Sequence, residues 1–129
     1  MIQTAAIIGS ILFLVVICFY ILAATGAPLG DYMMGGKYKI LPKKLRIMVS
    51  AAVFIQVLAI IVLLQGGGVI ASVLPGGILK VLCYIFSIYF SLNVLMNLFS
   101  ESKKEKMLMT PLSLVTAVCF WIVTVNLNL

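Results

Sequence analysis

The residues that could bind anions or transfer protons are concentrated in two short polar stretches of this chain. Residues 27–46 hold five of the nine basic residues and one of the three acids. A second stretch, residues 101–106, holds three more lysines and the other two acids. Clustered bases of this kind suit the phosphates of anionic lipids or an acidic protein partner. The candidate binding residues are Lys37, Lys39, Lys43, Lys44, Arg46, Lys103, Lys104 and Lys106.

Most catalytic and metal chemistries lack the side chains that they would need here. The sequence contains no histidine, which is the commonest metal ligand and the usual general base near neutral pH. Its three cysteines lie in separate apolar stretches without a CxxC pair, which is typical of small packed side chains rather than of redox or metal sites. We therefore predict no catalytic residue, no metal ligand and no cofactor.

Composition places the rest of the chain in a membrane. Hydrophobic residues make up 64% of the sequence and charged residues only 9%, whereas soluble domains are about half apolar and about a quarter charged. A bilayer core of about 30 Å needs about 20 helical residues to cross it. Four stretches qualify, at about 2–24, 47–65, 78–99 and 110–127. The expected fold is a single all-α domain with four transmembrane helices in an antiparallel bundle.

Proline and glycine indicate where these helices begin and where the first connection turns. Pro42 is expected to start the second helix, and Thr110 with Pro111 to supply the N-cap and first helical position of the fourth. In the first connection, Gly35 and Gly36 separate two strand-like runs, a pattern typical of a β-hairpin. A short hairpin and an irregular interfacial loop are both compatible with this segment.

The basic residues also predict how the protein is oriented. Both lysine-rich connections should be cytoplasmic, because positive residues near transmembrane helices stay on that side. The uncharged middle connection, residues 66–77, and both termini would then lie outside. The net charge is +6, and the basic residues that produce it flank apolar spans. Membrane topology and anionic lipid therefore explain this charge better than nucleic acid does.

Neutral polar side chains occur inside the predicted spans and have two interpretations. Tyr89, Asn93 and Asn97 recur every four residues and share one helix face. We expect Gln56 to lie near mid-membrane, at a depth similar to that of Ser87. The polar residues either hydrogen-bond between helices or line a polar cavity open to the cytoplasm. The cavity candidates are Gln56, Ser87, Tyr89, Asn93, Asn97 and Thr116.

Two loop motifs carry a resemblance to a known group of proteins. One comprises residues 28–30 (PLG), 35–36 (GG), 41–42 (LP) and Arg46, and the other comprises Asn97, Ser100, Ser102, Glu105 and Pro111. The chain resembles small four-span bacterial membrane proteins that have no assigned activity. The resemblance implies a bacterial cytoplasmic membrane. Small multidrug transporters need a glutamate in the first helix, and vitamin K epoxide reductase-like enzymes need a membrane CxxC, and both features are missing here.

Three functional hypotheses follow. The first is a non-catalytic accessory or regulatory subunit, or a homo-oligomer, that presents a basic cytoplasmic face to anionic lipids or to a membrane protein partner. The alternative is a transporter or channel for a small neutral or lipid-like solute that passes between the helices. The third is an enzyme acting on lipid head groups, with Asp31, Glu101 or Glu105 as its acid or base.

Overall fold

A computed structural model describes residues 2–26, 40, 42–71, 73–99 and 103–127. It consists of four helices: α1 (Ile2–Ala24), α2 (Lys43–Gly66), α3 (Gly76–Leu98) and α4 (Lys103–Val125). Each helix is long and apolar enough to cross a membrane. The prediction of four helices that are long and apolar enough to cross a membrane, in an all-helical fold, is therefore confirmed. These residue ranges contain no strand, and the hairpin segment at 32–39 lies outside them.

The predicted start of the fourth helix was wrong. Pro111 lies inside α4, which begins at Lys103. The segment before the proline is rich in Lys, Glu, Met and Leu, all of which favour helix, so the helix extends upstream. Pro111 removes one backbone hydrogen bond, to the carbonyl of Met107, without ending the helix. Pro42, by contrast, directly precedes α2 with an extended backbone (ψ 161°).

Consecutive helices run antiparallel, as side-chain contacts show. Ser87 is hydrogen-bonded to Thr124, and Asn97 is hydrogen-bonded to Ser113. A later residue of α3 thus meets an earlier residue of α4, so the two helices are antiparallel. A Cβ added to Gly9 would meet Leu63 and one added to Gly26 would meet Arg46, which gives the same result for α1 and α2. The starts of α2 and α4 therefore lie at one end of the bundle, beside the last turn of α1. The loop between α2 and α3 lies at the opposite end.

The core of the bundle is a cluster of phenylalanines in which three helices meet. The Phe13 ring of α1 lies 4.8 Å from that of Phe90 and 5.9 Å from that of Phe120. Phe86 lies 5.8 Å from Phe120, which is fully buried. Aromatic rings at these separations contribute packing energy beyond the area that they bury. This cluster fixes the positions of α1, α3 and α4 relative to one another.

The seam between α1 and α2 is closed by small residues. A Cβ added to Gly67 would lie 2.5 Å from the Cβ of Ala6, and one added to Gly9 would lie 2.7 Å from Cδ2 of Leu63. Both distances are too short for non-bonded carbon atoms. At Gly9 the end of the Leu63 side chain can shift, whereas at Gly67 the Cβ of Ala6 cannot, so only glycine allows the close approach there. Ala5 and Gly9 are both buried on α1, four residues apart, and small residues at this spacing let another helix approach closely.

The side-chain amide of Gln65 holds the loop between α2 and α3. Its Nε2 donates to the Leu74 carbonyl at 2.8 Å, and its Oε1 accepts the amides of Val73 and Leu74 at 3.1 and 2.9 Å. The side chain thus replaces the backbone partners that a non-helical segment lacks. The sequence analysis had assigned no role to Gln65 beyond the end of the second span.

Replacing Gln65 with leucine should release this loop. The three hydrogen bonds of the amide would be lost, each worth about 1 kcal/mol. We expect the amides of Val73 and Leu74 to exchange with solvent at least about tenfold faster, since about 1.4 kcal/mol corresponds to a factor of ten. Hydrogen exchange in nanodiscs measures this, with Gln3→Leu as the control because Gln3 is exposed. Unchanged protection at both amides would contradict the assigned role.

Candidate functional site

The antiparallel packing collects the basic residues of two helices at one end of the bundle. We call this the basic end and define it by Lys43, Lys44, Arg46, Lys103, Lys104 and Lys106. All five of its lysines are exposed and Arg46 is half-buried. A Cβ added to Gly26 would lie 3.3 Å from Nη2 of Arg46, so this guanidinium rests against the last turn of α1. Lys37 and Lys39 lie outside the described residues.

Helix electrostatics alone would disfavour this arrangement. The first turn of a helix carries partial positive charge on its free N–H groups and is normally stabilised by acidic side chains. The first turn of α2 has no acid, and Pro42 before it makes no side-chain cap. Lysines on two adjacent helix starts add repulsion to these dipoles. A negative charge beside these helix starts, such as a layer of lipid phosphates, would offset that repulsion.

Glu105 is the only acid in the described ranges, and it lies beneath the lysines rather than among them. Its side chain is only 7% exposed, although it lies in the first turn of α4. It interacts electrostatically with Tyr20 of α1. The sequence analysis had considered Glu105 as an acid or base at the surface. Glu105 lies four residues before Met109 and eight before Ser113, both of which are buried. This spacing places the three residues on one helix face, so helical periodicity could have predicted that Glu105 points inward.

Hydrogen bonds join α3 to α4 at three successive levels. Ser87 Oγ lies 2.7 Å from Thr124 Oγ1. Farther along α3, Trp121 donates its Nε1–H to Ser91 Oγ at 2.8 Å. Nearest the basic end, Asn97 donates its Nδ2–H to Ser113 Oγ at 3.1 Å. Each such bond in a bilayer is worth roughly 0.6 kcal/mol, so their main effect is to fix the register of the two helices.

The six residues predicted to line a cavity do not form one cluster. Ser87 is fully buried between α3 and α4, whereas Tyr89, two residues farther along α3, is 51% exposed and lies on a different face. Thr116 donates its hydroxyl to the carbonyl of Ser113 at 2.8 Å. Asn97 is engaged with the same serine. Interhelical bonding therefore accounts for Ser87 and Asn97.

Gln56 and Asn93 lie within about one helical turn of each other along the bundle axis, and the predicted match between Gln56 and Ser87 was wrong. A Cβ added to Gly66 would lie 3.5 Å from Sγ of Cys83, which sets the register of α2 against α3. Gln56 lies ten residues before Gly66 (66 − 56), and Asn93 lies ten residues after Cys83 (93 − 83). Ser87 lies six residues from Asn93, about 9 Å along the helix axis.

The opposite end of the bundle differs in charge from the basic end. An open cleft of about 510 Å³ lies there, between the start of α1 and the last turns of α2 and α4. The described residues that line it carry no charge: Ile2, Gln3, Gly67, Ile122 and Asn126. Among the described residues, this end also includes the exposed Lys80 near the start of α3, so positive charge is concentrated, though not confined, at the basic end.

The side chains that could ligate a metal are dispersed. Across the described ranges, no three His, Cys, Asp or Glu residues come together as a possible metal site. Cys83 and Cys119 are buried and Cys18 is exposed, all three as free thiols. No protein-family model, curated protein or solved structure matches this chain. The functional argument therefore rests on the geometry of the bundle itself.

Proposed function

We propose that this protein is a non-catalytic integral membrane protein whose basic end binds the head groups of anionic phospholipids. In this role it would serve as an accessory or regulatory subunit of a membrane complex, or as a homo-oligomer. The observation that carries the proposal is the convergence of two lysine-rich helix starts at one end of the bundle. Five exposed lysines lie there, and the only described acid is buried.

The energetics of an anionic surface favour this role. Each Lys or Arg near a negatively charged leaflet contributes about 1 kcal/mol of attraction. Five exposed lysines on rigid helix starts would give several kcal/mol, and the free N–H groups of those starts also favour anions. A membrane containing anionic lipid would remove the repulsion that these lysines otherwise exert on the helix dipoles.

The same charge asymmetry supports the proposed orientation. Positive residues beside transmembrane helices are retained in the cytoplasm, so the basic end would face the cytoplasm and both termini would lie outside. The resemblance in the loop motifs supports a bacterial cytoplasmic membrane as the location. The first connection, which includes Lys37 and Lys39, would add two further charges to the same surface, whether as a hairpin or as an irregular loop.

Neutralising the basic end should abolish selective retention of anionic lipid. The test variant carries four substitutions, Lys43→Gln, Lys44→Gln, Lys103→Gln and Lys106→Gln. Native mass spectrometry would count phosphatidylglycerol and phosphatidylcholine that stay bound after extraction from mixed nanodiscs. We expect the unmodified protein to prefer phosphatidylglycerol by at least about tenfold at low salt, given about 1 kcal/mol for each charge. The variant should lose this preference, and salt should weaken it in the unmodified protein.

A matched pair of variants tests whether the lipid preference depends on where a lysine lies or only on the net charge of the protein. Lys80→Gln and Lys103→Gln each remove one exposed charge, but Lys80 lies near the start of α3, at the opposite end of the bundle. We expect the preference to decrease in Lys103→Gln and to stay unchanged in Lys80→Gln. Equal retention of the two lipids by the unmodified protein, or an unchanged preference in the fourfold variant, would refute the proposal.

A further inference from the structure

Gln56 has a buried carbonyl oxygen that accepts no hydrogen bond from the described part of the chain. Its side chain is only 8% exposed, and this burial includes Oε1. Ser10 Oγ and Thr110 Oγ1 are also buried without a partner in the same residue ranges. A helical hydroxyl can rotate to donate to a carbonyl of its own helix, whereas an amide oxygen can only accept. Gln56 therefore needs a donor that comes from elsewhere.

Other neutral polar groups lie within one helical turn of this oxygen along the bundle axis. Asn93 lies within about one helical turn of Gln56 along the bundle axis, is half-buried and makes no hydrogen bond within the described ranges. On α4, Ser113 is hydrogen-bonded to Asn97 and Trp121 to Ser91. Thr116 lies between Ser113 and Trp121 on α4, just as Asn93 lies between Ser91 and Asn97 on α3. Three helices thus each contribute a polar side chain to this layer of the membrane.

The layer faces inward and carries no charge. Gln56 lies on the buried stripe of α2 that also contains Val49, Ala59 and Leu63. Thr116 is 2% exposed and lies on the buried face of α4. The nearest charged residues in sequence on α2 and α4 are Arg46 and Lys106, each ten residues from the layer (56 − 46 and 116 − 106), which corresponds to about 15 Å along a helix.

We infer that this layer binds one small uncharged hydrogen-bond donor, which donates to Oε1 of Gln56. An uncharged donor is required because a charge buried at this depth would have no counter-charge and would be costly. A small one is required because Gln56 is more than nine-tenths covered by the protein itself. Water, or a hydroxyl or amide of a small solute, has this chemistry. The inference is independent of the lipid-binding role of the basic end.

The chain contains only three glutamines, Gln3, Gln56 and Gln65, so selective labelling tests the inference directly. Incorporation of ¹³Cδ-glutamine would give three side-chain carbonyl signals, assigned by single substitutions. Gln65 accepts two backbone hydrogen bonds and serves as the internal reference for a bonded, partly buried carbonyl. We expect the Gln56 signal to lie at the hydrogen-bonded position, close to that of Gln65. A Gln56 signal at the position of a free amide in hydrocarbon would overturn the inference.

Titration identifies which source supplies the donor. Acetamide and glycerol would be added separately to the labelled protein in nanodiscs. A saturable change confined to the Gln56 signal identifies a site for solute hydroxyls or amides. A hydrogen-bonded Gln56 signal that neither solute changes, and that Asn93→Leu also leaves unchanged, identifies water as the donor, whereas loss of the hydrogen-bonded position in Asn93→Leu would overturn the inference. In either case the Gln65 signal should stay constant, because its partners belong to the chain.

Replacing Gln56 with leucine gives a second test, because the direction in which stability changes shows whether a donor is bound to Oε1. If a donor is bound, Gln56→Leu removes its hydrogen bond, and we expect the unfolding equilibrium constant to rise about tenfold. If Oε1 has no donor, leucine removes an unsatisfied group and the constant should fall. Gln3→Leu is the control and should change the constant less than about twofold. A Gln56→Leu protein at least as stable as the unmodified one would contradict the inference, and the carbonyl signal remains decisive should the variant fail to fold.

Discussion

Replacing Phe120 with alanine is expected to destabilise the bundle by about 2–3 kcal/mol. Phe120 is fully buried, and its ring packs against those of Phe13, Phe86 and Phe90 at 5.5–5.9 Å. In a bilayer the surrounding lipid is as apolar as the core, so loss of packing and the cavity left behind supply most of the cost. Titration with SDS in mixed micelles, followed by tryptophan fluorescence, measures the free energy of unfolding. Trp121 is the only tryptophan.

The control for Phe120 is another phenylalanine that faces outward. Phe54 is 75% exposed on α2 and should be surrounded by lipid tails. Phe54→Ala leaves a space that lipid can fill, so we expect less than about 0.5 kcal/mol of destabilisation. Equal effects of Phe120→Ala and Phe54→Ala would show that the phenylalanine cluster is not the core of the bundle.

Replacing Gly67 with alanine is expected to destabilise the protein by about 1–3 kcal/mol, the usual range for overpacking. The new Cβ would lie 2.5 Å from the Cβ of Ala6 and 3.3 Å from the carbonyl oxygen of Leu63. Neither atom is the end of a flexible side chain, so α1 or α2 must move. The backbone of Gly67 is in the right-handed helical region, with φ −79° and ψ −4°. Steric contact, rather than backbone strain, is therefore what this substitution tests.

Gly77 provides the matched control for Gly67. It lies in the first turn of α3, and a Cβ added there would meet nothing within 4 Å. Gly77→Ala should therefore leave stability within about 0.5 kcal/mol, and the better helix propensity of alanine could raise it slightly. The same SDS titration compares the two variants. A harmless Gly67→Ala would show that α1 and α2 do not approach as closely as described.

The two ends of the bundle differ because sequence and topology act together. Lysines near the start of one helix would give only a local charge. An antiparallel arrangement with an even number of spans places the starts of α2 and α4 at the same end, where their lysines form one surface. Glu105, the described acid among these lysines, has a buried side chain that interacts electrostatically with Tyr20. The proposed affinity for anionic lipid depends on this combination.

The sequence indicated that neutral polar residues lie inside the spans but left open whether they bond between helices or line a cavity. In the structure Asn97 and Ser113 meet near the basic end. The close relation of Ser87 to Thr124 depends on the register of α3 against α4. Periodicity gives the face of a helix on which a residue lies, but not its level relative to another helix. This is why Gln56 was matched with Ser87 rather than with Asn93.

By itself, the sequence determined the four spanning helices, because apolar runs of this length leave helix as the structure that satisfies the backbone in lipid. It also determined where the positive charge lies along the chain. The structure added that α4 continues through Pro111 to Lys103, which the local helix propensity of residues 103–110 favours. The tertiary structure alone decided which segments the side chains of Glu105 and Gln65 meet, because periodicity along one helix gives the face on which a residue lies but not its neighbours.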